Sequence, residues 1–156
     1  MPKFVIQQHD ATTLHYDFRL EIGGALASWA VPKGPSTDPR VKRLAVRVED
    51  HALAYGSFEG RLGPGYGAGA VIVWDRGTYR NLAEDPPEQG LEDGRLRFWL
   101  DGQKLRGGYA LTRTGTTRGR EQWLLVKMRD EAADAPRDPV STQPESVLSG
   151  KTVDEI

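Results

Sequence analysis

The strongest constraint on the fold is a two-residue alternation in residues 15–21. Tyr16, Phe18 and Leu20 are separated by residues with ionisable side chains. Because successive side chains of a β-strand point to opposite faces, the alternation predicts a strand with one apolar face. Its other face carries an imidazole, a guanidinium and two carboxylates, from His15, Asp17, Arg19 and Glu21. An ordinary solvent-facing strand carries plain polar residues instead.

A second strand is predicted immediately upstream, over residues 4–9. The intervening residues 10–13 are typical of a turn, so the two strands are expected to pair as a hairpin. That pairing brings His9 back beside His15. Two imidazoles and the Asp17 carboxylate then converge and leave coordination positions open. A nitrogen and oxygen ligand set without sulfur suits Mn²⁺, Zn²⁺ or Fe²⁺, and the hairpin therefore predicts a catalytic metal site.

The rest of the chain also indicates β-structure. Further strands are predicted over residues 26–31, 43–51, 70–75, 95–100, 108–113 and 122–127, with turn signals between them and no long helix. The pattern favours an antiparallel barrel or sandwich. The glycine-rich residues 63–69 are either a tight β connection or a phosphate cradle. The Gly-, Thr- and Arg-rich residues 114–120 are expected to be mobile.

The predicted strand over residues 43–51 alternates charged and apolar residues in the same way as residues 15–21. Period two places Arg43, Glu49 and His51 on a charged face and a β-branched face toward the core. We expect both charged faces to point into the same barrel mouth. Arg19 and Arg43 could then bind a phosphate through paired hydrogen bonds, with Lys33 adding a point charge from its loop. The alternative is a surface salt-bridge lattice, comprising Arg43, Arg47, Glu49 and Asp50.

Composition limits the class of protein. A chain of 156 residues suits one domain, and its lack of cysteine excludes disulfides, thiolate ligands and a cysteine nucleophile. No apolar run approaches the roughly 20 residues of a membrane span, and no signal-peptide layout begins the chain, so a cytoplasmic protein with no membrane partner is expected. Residues 129–156 hold three basic and seven acidic residues. We predict a domain over residues 1–130 and an acidic, poorly ordered tail over residues 131–156.

Several motifs in fixed order carry a family resemblance. The first is the spacing His9-x5-His15-x-Asp17-x-Arg19, and the second is Trp29-Ala30-Val31-Pro32-Lys33-Gly34-Pro35-Ser36. The others are Val48-Glu49-Asp50-His51, Phe58-Glu59-Gly60, Tyr66-Gly67-Ala68-Gly69, Trp74-Asp75, Leu105-Arg106-Gly107 and Trp123-Leu124-Leu125-Val126-Lys127. Over residues 4–130 the chain closely resembles the 3′-phosphoesterase domain of bacterial DNA ligase D, here expected as a free-standing version.

The resemblance implies a mainly all-β fold, a single compact antiparallel β-barrel with little helix. It also implies a Mn²⁺-dependent enzyme that heals DNA 3′ ends, with Co²⁺ or Zn²⁺ as other divalent metals. By motif, His9, His15 and Asp17 would hold the metal, and Arg19 and His51 would contact the scissile phosphate. The family places supporting active-site residues at five further positions: Gln7, Lys33, Arg43, Glu49 and Tyr55.

The implied reaction removes a 3′-phosphate, or a terminal 3′-ribonucleoside followed by the remaining phosphate, to leave 3′-OH for repair by end joining. Many members carry an additional N-terminal segment, whereas this chain begins almost at the first motif, so the phosphatase is the primary expectation. DNA 3′ ends, a repair ligase or polymerase and an end-binding protein are the implied partners. Two other hypotheses stay open: a non-catalytic DNA-end-binding module that docks a ligase, and a metal-dependent hydrolase of small phosphoesters.

Overall fold

The computed structural model describes residues 1–64 and 68–156. Nine strands and two short α-helices are present in these ranges. The strands are β1 (Lys3–Asp10), β2 (Leu14–Ile22), β3 (Ala25–Val31), β4 (Lys42–His51), β5 (Gly60–Leu62), β6 (Gly69–Asn81), β7 (Arg95–Gly102), β8 (Arg106–Thr117) and β9 (Arg120–Lys127). The helices are α1 (Pro87–Asp93) and α2 (Pro139–Thr142), and single 3-10 turns lie at Leu53–Ser57 and Val153–Glu155. The centre of the predicted glycine-rich turn, residues 65–67, lies outside the described residues.

Eight of these strands form a closed antiparallel barrel. They pair in the order β1-β2-β3-β4-β9-β8-β7-β6, and a β6–β1 ladder closes the ring. The short β5 pairs with β6 beside this ladder. Each barrel strand corresponds to one of the predicted strands, so the predicted all-β antiparallel barrel is confirmed. Closure removes the exposed edges that an open sheet would leave.

The barrel interior is filled by large side chains from all round the ring. Trp29, Trp74 and Trp123 are fully buried there, and the apolar face of β2 packs against them. Trp29 and Trp123 meet edge to face with ring centroids 5.5 Å apart. Among the described residues, the barrel interior is therefore a packed apolar core. The expectation that the charged faces point into a barrel mouth is wrong, because the ionisable face of β2 lies on the outside of the barrel.

The face assignment of β4 was also wrong. Ala45 is fully buried in the core, and Arg43 lies on the same side because it is paired with the core residue Leu125. Leu44, predicted to be a core residue, is 43% exposed. The β3–β4 register shifts between Leu26 and Ser28. This β-bulge adds a residue to β4 and reverses the alternation beyond it, so His51 emerges on the outer face.

Residues 130–156 lie against the barrel, although the sequence predicted a poorly ordered tail. The indole N–H of Trp74 and the Lys104 ammonium donate to the Gln143 carbonyl, and the Val147 N–H donates to the Val73 carbonyl. The Ser146 hydroxyl donates to the Glu59 carboxylate. Many of these bonds involve main-chain groups of the segment, and Val140, Val147 and Val153 pack on the barrel at irregular spacing, so the sequence shows no periodic pattern. The predicted domain boundary at residue 130 remains a prediction.

Residues 114–120, expected to be a mobile link, are the end of the β8–β9 hairpin. Thr117 pairs with Arg120, and the ladder shifts register between Arg113 and Gly115. No helix among the described residues is long and apolar enough to cross a membrane.

Candidate metal and phosphate site

The candidate site begins with the β1–β2 hairpin. Its register pairs His9 directly with His15, as the sequence predicted, and places their ring centroids 5.1 Å apart. Asp17 follows two residues later on the same face. Its carboxylate lies 3.1 Å from His15 Nε2 and 3.9 Å from His9 Nδ1. The three residues can each offer a ligand atom such that all three atoms lie within 4.8 Å of one another.

The protonation pattern of the two imidazoles fits a metal ion. His15 Nδ1 lies 3.2 Å from the Thr13 carbonyl oxygen, and it must be the donor because a carbonyl can only accept. That bond leaves Nε2 of the neutral ring as a lone pair directed at the cluster. His9 Nε2 is buried and has no hydrogen-bond partner among the residues that the structure describes. A divalent transition-metal ion would accept His15 Nε2 together with a His9 nitrogen and an Asp17 oxygen, so the residues present fit such an ion.

Without a metal, the same groups hold each other through charge. The hydrogen bond to Asp17 raises the pKa of His15 above its ordinary value, although burial acts in the opposite direction. Burial raises the pKa of Asp17, but the His15 hydrogen bond and the charge of Arg19 outweigh it and leave that pKa lowered. The carboxylate is therefore ionised at neutral pH, as a metal ligand must be.

Arg19 is a buried cation with a fixed orientation. Its Nε donates to Gln7 Oε1 at 2.7 Å, and Nη1 donates to Ser28 Oγ at 2.8 Å. Nη2 lies 3.5 Å from Asp17 Oδ2. Because a guanidinium has five N–H donors, these contacts leave one N–H on each terminal nitrogen. Two neighbouring donors of this kind can bind two oxygens of one phosphate group.

An aromatic layer covers the other side of Arg19. The Arg19 Cζ lies 5.2 Å from the centre of the Tyr55 ring, which also stacks on His51 with centroids 4.6 Å apart. Phe58 stacks on the opposite side of Tyr55 at 5.3 Å. The layer is anchored by Gln7, whose Nε2 donates to the carbonyls of Tyr55 and Phe58. Gln7 thus joins the arginine to the aromatic layer and has no amide N–H left for a substrate.

His51 is an imidazole beside a fixed positive charge. Burial lowers its pKa, and the nearby Arg19 charge lowers it further, while Asp17, Glu49 and Asp50 act in the opposite direction. The net shift is downward, so the ring is mainly neutral at neutral pH before an anion binds. A bound phosphate would add negative charge and favour the protonated form.

The structure brings together most of the residues predicted from sequence, but not all of them. Gln7, His9, His15, Asp17, Arg19, His51 and Tyr55 form one continuous cluster on the outside of β1–β4. Lys33 is exposed in the turn after β3, at the end of that strand nearest His15, and Glu49 is exposed on β4. Arg43 lies on the core side of the sheet, and no described hydrogen bond or ion pair joins it to the cluster. The predicted phosphate contact by Arg43 therefore has no support in the structure.

Sequence reasoning missed Ser28, which is fully buried and accepts a hydrogen bond from Arg19. Its hydroxyl donates in turn to the Leu26 carbonyl. Ser28 is directly opposite Arg19 in the β2–β3 register. A single hydroxyl inside an otherwise apolar strand, read together with that hairpin register, is the signal that could have identified it.

Comparisons with known proteins find a family model and several relatives that match this chain. Residues 7–113 match the family model described as the DNA Ligase D 3′-phosphoesterase domain. The chain is 55% identical over 154 residues to the "Multifunctional non-homologous end joining protein LigD" of Pseudomonas aeruginosa, covering 97% of this chain and 18% of the relative. It is 44% identical over 131 residues to the "Multifunctional non-homologous end joining DNA repair protein LigD" of Mycobacterium tuberculosis, covering 82% of this chain and 16% of that protein. The chain therefore spans less than one fifth of the length of these relatives.

Proposed function

Because the chain belongs to the family of DNA ligase D 3′-phosphoesterase domains, we propose that it is a metal-dependent hydrolase that removes the 3′-phosphate from DNA ends. The observation that carries the proposal is the position of Arg19 beside three convergent ligand residues: His9, His15 and Asp17. A phosphate monoester carries about two negative charges near neutral pH and has three terminal oxygens. A metal ion beside the oriented Arg19 guanidinium would offer positive charge to match the negative charge of this phosphate.

The two imidazoles and the Asp17 carboxylate would hold Mn²⁺, with Co²⁺ or Zn²⁺ as other ions that accept this ligand set. When bound, such an ion supplies Lewis-acid stabilisation of phosphoryl oxygens and lowers the pKa of water. The chain supplies the orientation. The Thr13 carbonyl fixes the His15 ring, and the Arg19 charge keeps the Asp17 carboxylate ionised.

Arg19 binds the phosphate and stabilises the charge that develops on its oxygens. Its three contacts within the protein fix the plane of the guanidinium before the substrate arrives, so little reorganisation is needed during the reaction. The buried cation also lacks a full counter-charge, since Asp17 is shared with the imidazoles. An incoming phosphate supplies that counter-charge.

His51 contacts the same phosphate from the Tyr55 side of the site. Its lowered pKa makes it a neutral hydrogen-bond donor in the free protein, and a bound dianion increases its protonated fraction. The protonated ring could donate its proton to the leaving 3′-oxygen or stabilise negative charge on the phosphate. A pH profile of kcat for substrates with different leaving groups distinguishes the two roles.

The substrate is a DNA 3′ end, and the product is a 3′-OH end for a polymerase and a ligase. The names of the curated relatives assign those proteins to non-homologous end joining, and we extend that pathway to this chain. A repair ligase, a polymerase and an end-binding protein are its proposed partners. Removal of a terminal 3′-ribonucleoside is the second activity to test, since it uses the same phosphate site.

The test uses two labelled primer–templates, one ending in 3′-phosphate and the other in a single ribonucleotide. Each is incubated with the protein and Mn²⁺, or with EDTA, and the products are separated on a denaturing gel. We expect the 3′-phosphate end to become 3′-OH only with Mn²⁺. Arg19→Gln keeps the bond to Ser28 or Gln7 but removes the charge, and it should lower kcat/KM by at least about 100-fold.

Two results would contradict the proposal. DNA binding without conversion under any divalent metal would make this domain a non-catalytic end-binding module. Efficient cleavage of nucleoside 3′-monophosphates with no action on DNA ends would make it a hydrolase of small phosphoesters.

A further inference from the structure

The end of the β8–β9 hairpin projects from the barrel as an isolated two-stranded ribbon. The β7–β8 ladder ends at Thr112, and the β4–β9 ladder ends at Gln122. Between these residues the two strands pair only with each other. The five residues from Arg113 to Thr117 add about 17 Å of length. Residues 114–120 are all exposed, so this ribbon contributes nothing to the core.

The ribbon is basic and contains no apolar side chain. Residues 114–120 comprise three threonines, two glycines and two arginines, with no acidic residue. Neither Arg118 nor Arg120 forms an ion pair with any residue that the structure describes. Arg113, at the base, is instead held by Glu121 at 3.5 Å. Two unpaired guanidiniums among hydroxyls and glycines suit a phosphate backbone, because that surface offers charge and close approach.

The turn itself puts an arginine where the backbone favours other residues. Arg118 has φ of +53° and Gly119 has φ of +77°, as a two-residue hairpin turn of type I′ requires. Asparagine is the preferred residue at the first of these positions. Arg118 is the only non-glycine residue with positive φ among those that the structure describes. Arginine is therefore less favourable than asparagine in this backbone conformation, but it places a positive charge at the tip of the turn.

The ribbon tip lies beside the strand that carries His51. Beyond Val46, β4 and β9 separate, and a groove opens between residues 47–49 and residues 118–121. Glu49 borders this groove, and His51 is two residues further along β4, about 7 Å away. A DNA strand whose 3′ end reached His51 could pass the ribbon within a few nucleotides of that end.

We propose that the tip of the β8–β9 hairpin, residues 116–120, binds the phosphate backbone of the DNA whose 3′ end occupies the site. Arg118 and Arg120 each contact one phosphate, so the ribbon adds affinity without reading sequence. The choice of DNA rests on the proposed function, whereas the placement of the ribbon beside the site rests on the geometry. The ribbon extends recognition beyond the single terminal phosphate that Arg19 and His51 can hold.

The first test measures binding with no turnover. A fluorescent DNA hairpin with one 3′ end is titrated with protein in EDTA at several salt concentrations, and fluorescence anisotropy gives Kd. The variant is Arg118→Asn with Arg120→Gln, because asparagine preserves the positive φ while removing the charge. The matched control is Arg97→Gln, since Arg97 is also an exposed strand arginine without an ion pair in the described structure, but it lies far from the turn.

We expect the double variant to bind at least about tenfold more weakly near 0.1 M salt, and to reduce the slope of log Kd against log salt by about 2. Arg97→Gln should keep the wild-type affinity and slope. Equal Kd and equal slope for the double variant and this control would overturn the proposal. A thermal melt shows that the hairpin still folds, since Arg118→Asn should leave Tm unchanged or raise it.

The second test locates the ribbon on the DNA. The chain has no cysteine, so Arg118→Cys creates one labelling site for an iron–EDTA reagent that cleaves nearby DNA. Cleavage confined to about five nucleotides from the 3′ end is expected, because the tip is within about 15 Å of His51 and nucleotides rise 3.4 Å each. Uniform cleavage along the DNA would overturn the proposal. Neither test needs catalysis, so a failed phosphatase assay alone leaves both results interpretable.

Discussion

Gln7 is expected to hold the site together, and Gln7→Leu tests this. The residue is fully buried and joins two parts of the site that are distant in sequence. Its Oε1 accepts from Arg19 Nε, and its Nε2 donates to the carbonyls of Tyr55 and Phe58. Leucine has a similar volume and fills the space, but it removes all three hydrogen bonds. The substitution Gln7→Leu therefore measures the contribution of these hydrogen bonds while the packing volume stays about the same.

The cost follows from the kind of bonds lost. The bond from Arg19 has a charged donor and contributes about 1.5–3 kcal/mol, and each neutral bond contributes about 1 kcal/mol. The Tyr55 and Phe58 carbonyls lie near the surface, where water can replace part of the loss. We expect the free energy of unfolding to fall by about 3 kcal/mol. For a chain of this size, Tm should fall by about 6–12 °C.

The assay compares Gln7→Leu with Gln8→Leu. Gln8 is the next residue of β1 and is also buried. Among the described residues, its amide donates only to the Tyr16 hydroxyl and its Oε1 has no partner. Its replacement should cost less than about 1 kcal/mol, since it removes one neutral bond and one unsatisfied oxygen. Urea unfolding gives both free energies. In the DNA assay with Mn²⁺, Gln7→Leu should lower kcat/KM by about 100-fold because Arg19 loses its fixed orientation.

Equal free energies of unfolding for the two leucine variants would refute this reasoning. A Gln7→Leu protein with wild-type kcat/KM would likewise show that Gln7 does not position Arg19. A loss of kcat/KM in Gln8→Leu of the same size would show that the assay reports general destabilisation.

Three further predictions concern the metal, the core and the C-terminal segment. Mn²⁺ should raise the Tm of the wild-type protein. Alanine in place of His9, His15 or Asp17 should remove both this Tm shift and turnover, while the far-ultraviolet circular dichroism spectrum stays unchanged. Wild-type turnover in any one of these three variants would contradict the metal assignment. Asp75 is fully buried and accepts four main-chain N–H bonds, so Asp75→Asn should lower the free energy of unfolding in urea by about 2 kcal/mol, and an unchanged value would contradict this account. Burial raises the pKa of Glu59, but hydrogen bonds from Ser146 and the Val73 N–H outweigh it and lower that pKa below its ordinary value of 4.5. The ionised Glu59 carboxylate therefore stabilises the C-terminal segment fully above pH 4.5. This stabilisation is lost as the pH falls through the lower pKa that Glu59 has in the folded state. Fluorescence of Trp74, which donates to Gln143, should report this release, and Glu59→Gln should abolish the pH dependence.

The strands and the convergence of His9, His15 and Asp17 could be predicted from sequence because they depend on local relations. Alternating side chains define a strand wherever it lies in the fold. The turn over residues 10–13 is short, so the register that pairs His9 with His15 follows from the hairpin itself. Asp17 and Arg19 then share that face by period two. These relations hold without knowledge of any other strand.

Closure of the barrel decided which face of each strand is inside. The bulge in β4 reverses its alternation, so period two alone placed Arg43 with His51, although they lie on opposite sides of the sheet. The large interior residues, among them Trp29 and Trp123, fill the barrel and leave only its outer surface for an ionisable cluster. A bulge and a filled interior result from contacts among strands distant in sequence.

Tertiary structure also decided the roles of single polar residues. Gln7 and Ser28 look like ordinary strand residues, and only the folded arrangement shows that both orient Arg19. Residues 130–156 are held by main-chain hydrogen bonds and by irregularly spaced apolar contacts with the barrel, which a composition argument cannot detect. Sequence by itself therefore determined the strands, the convergence of His9, His15 and Asp17, and the family, since these follow from side-chain order along the chain. The direction of each face, the supports of the arginine and the packing of the C-terminal segment required long-range contacts that exist only after the barrel closes.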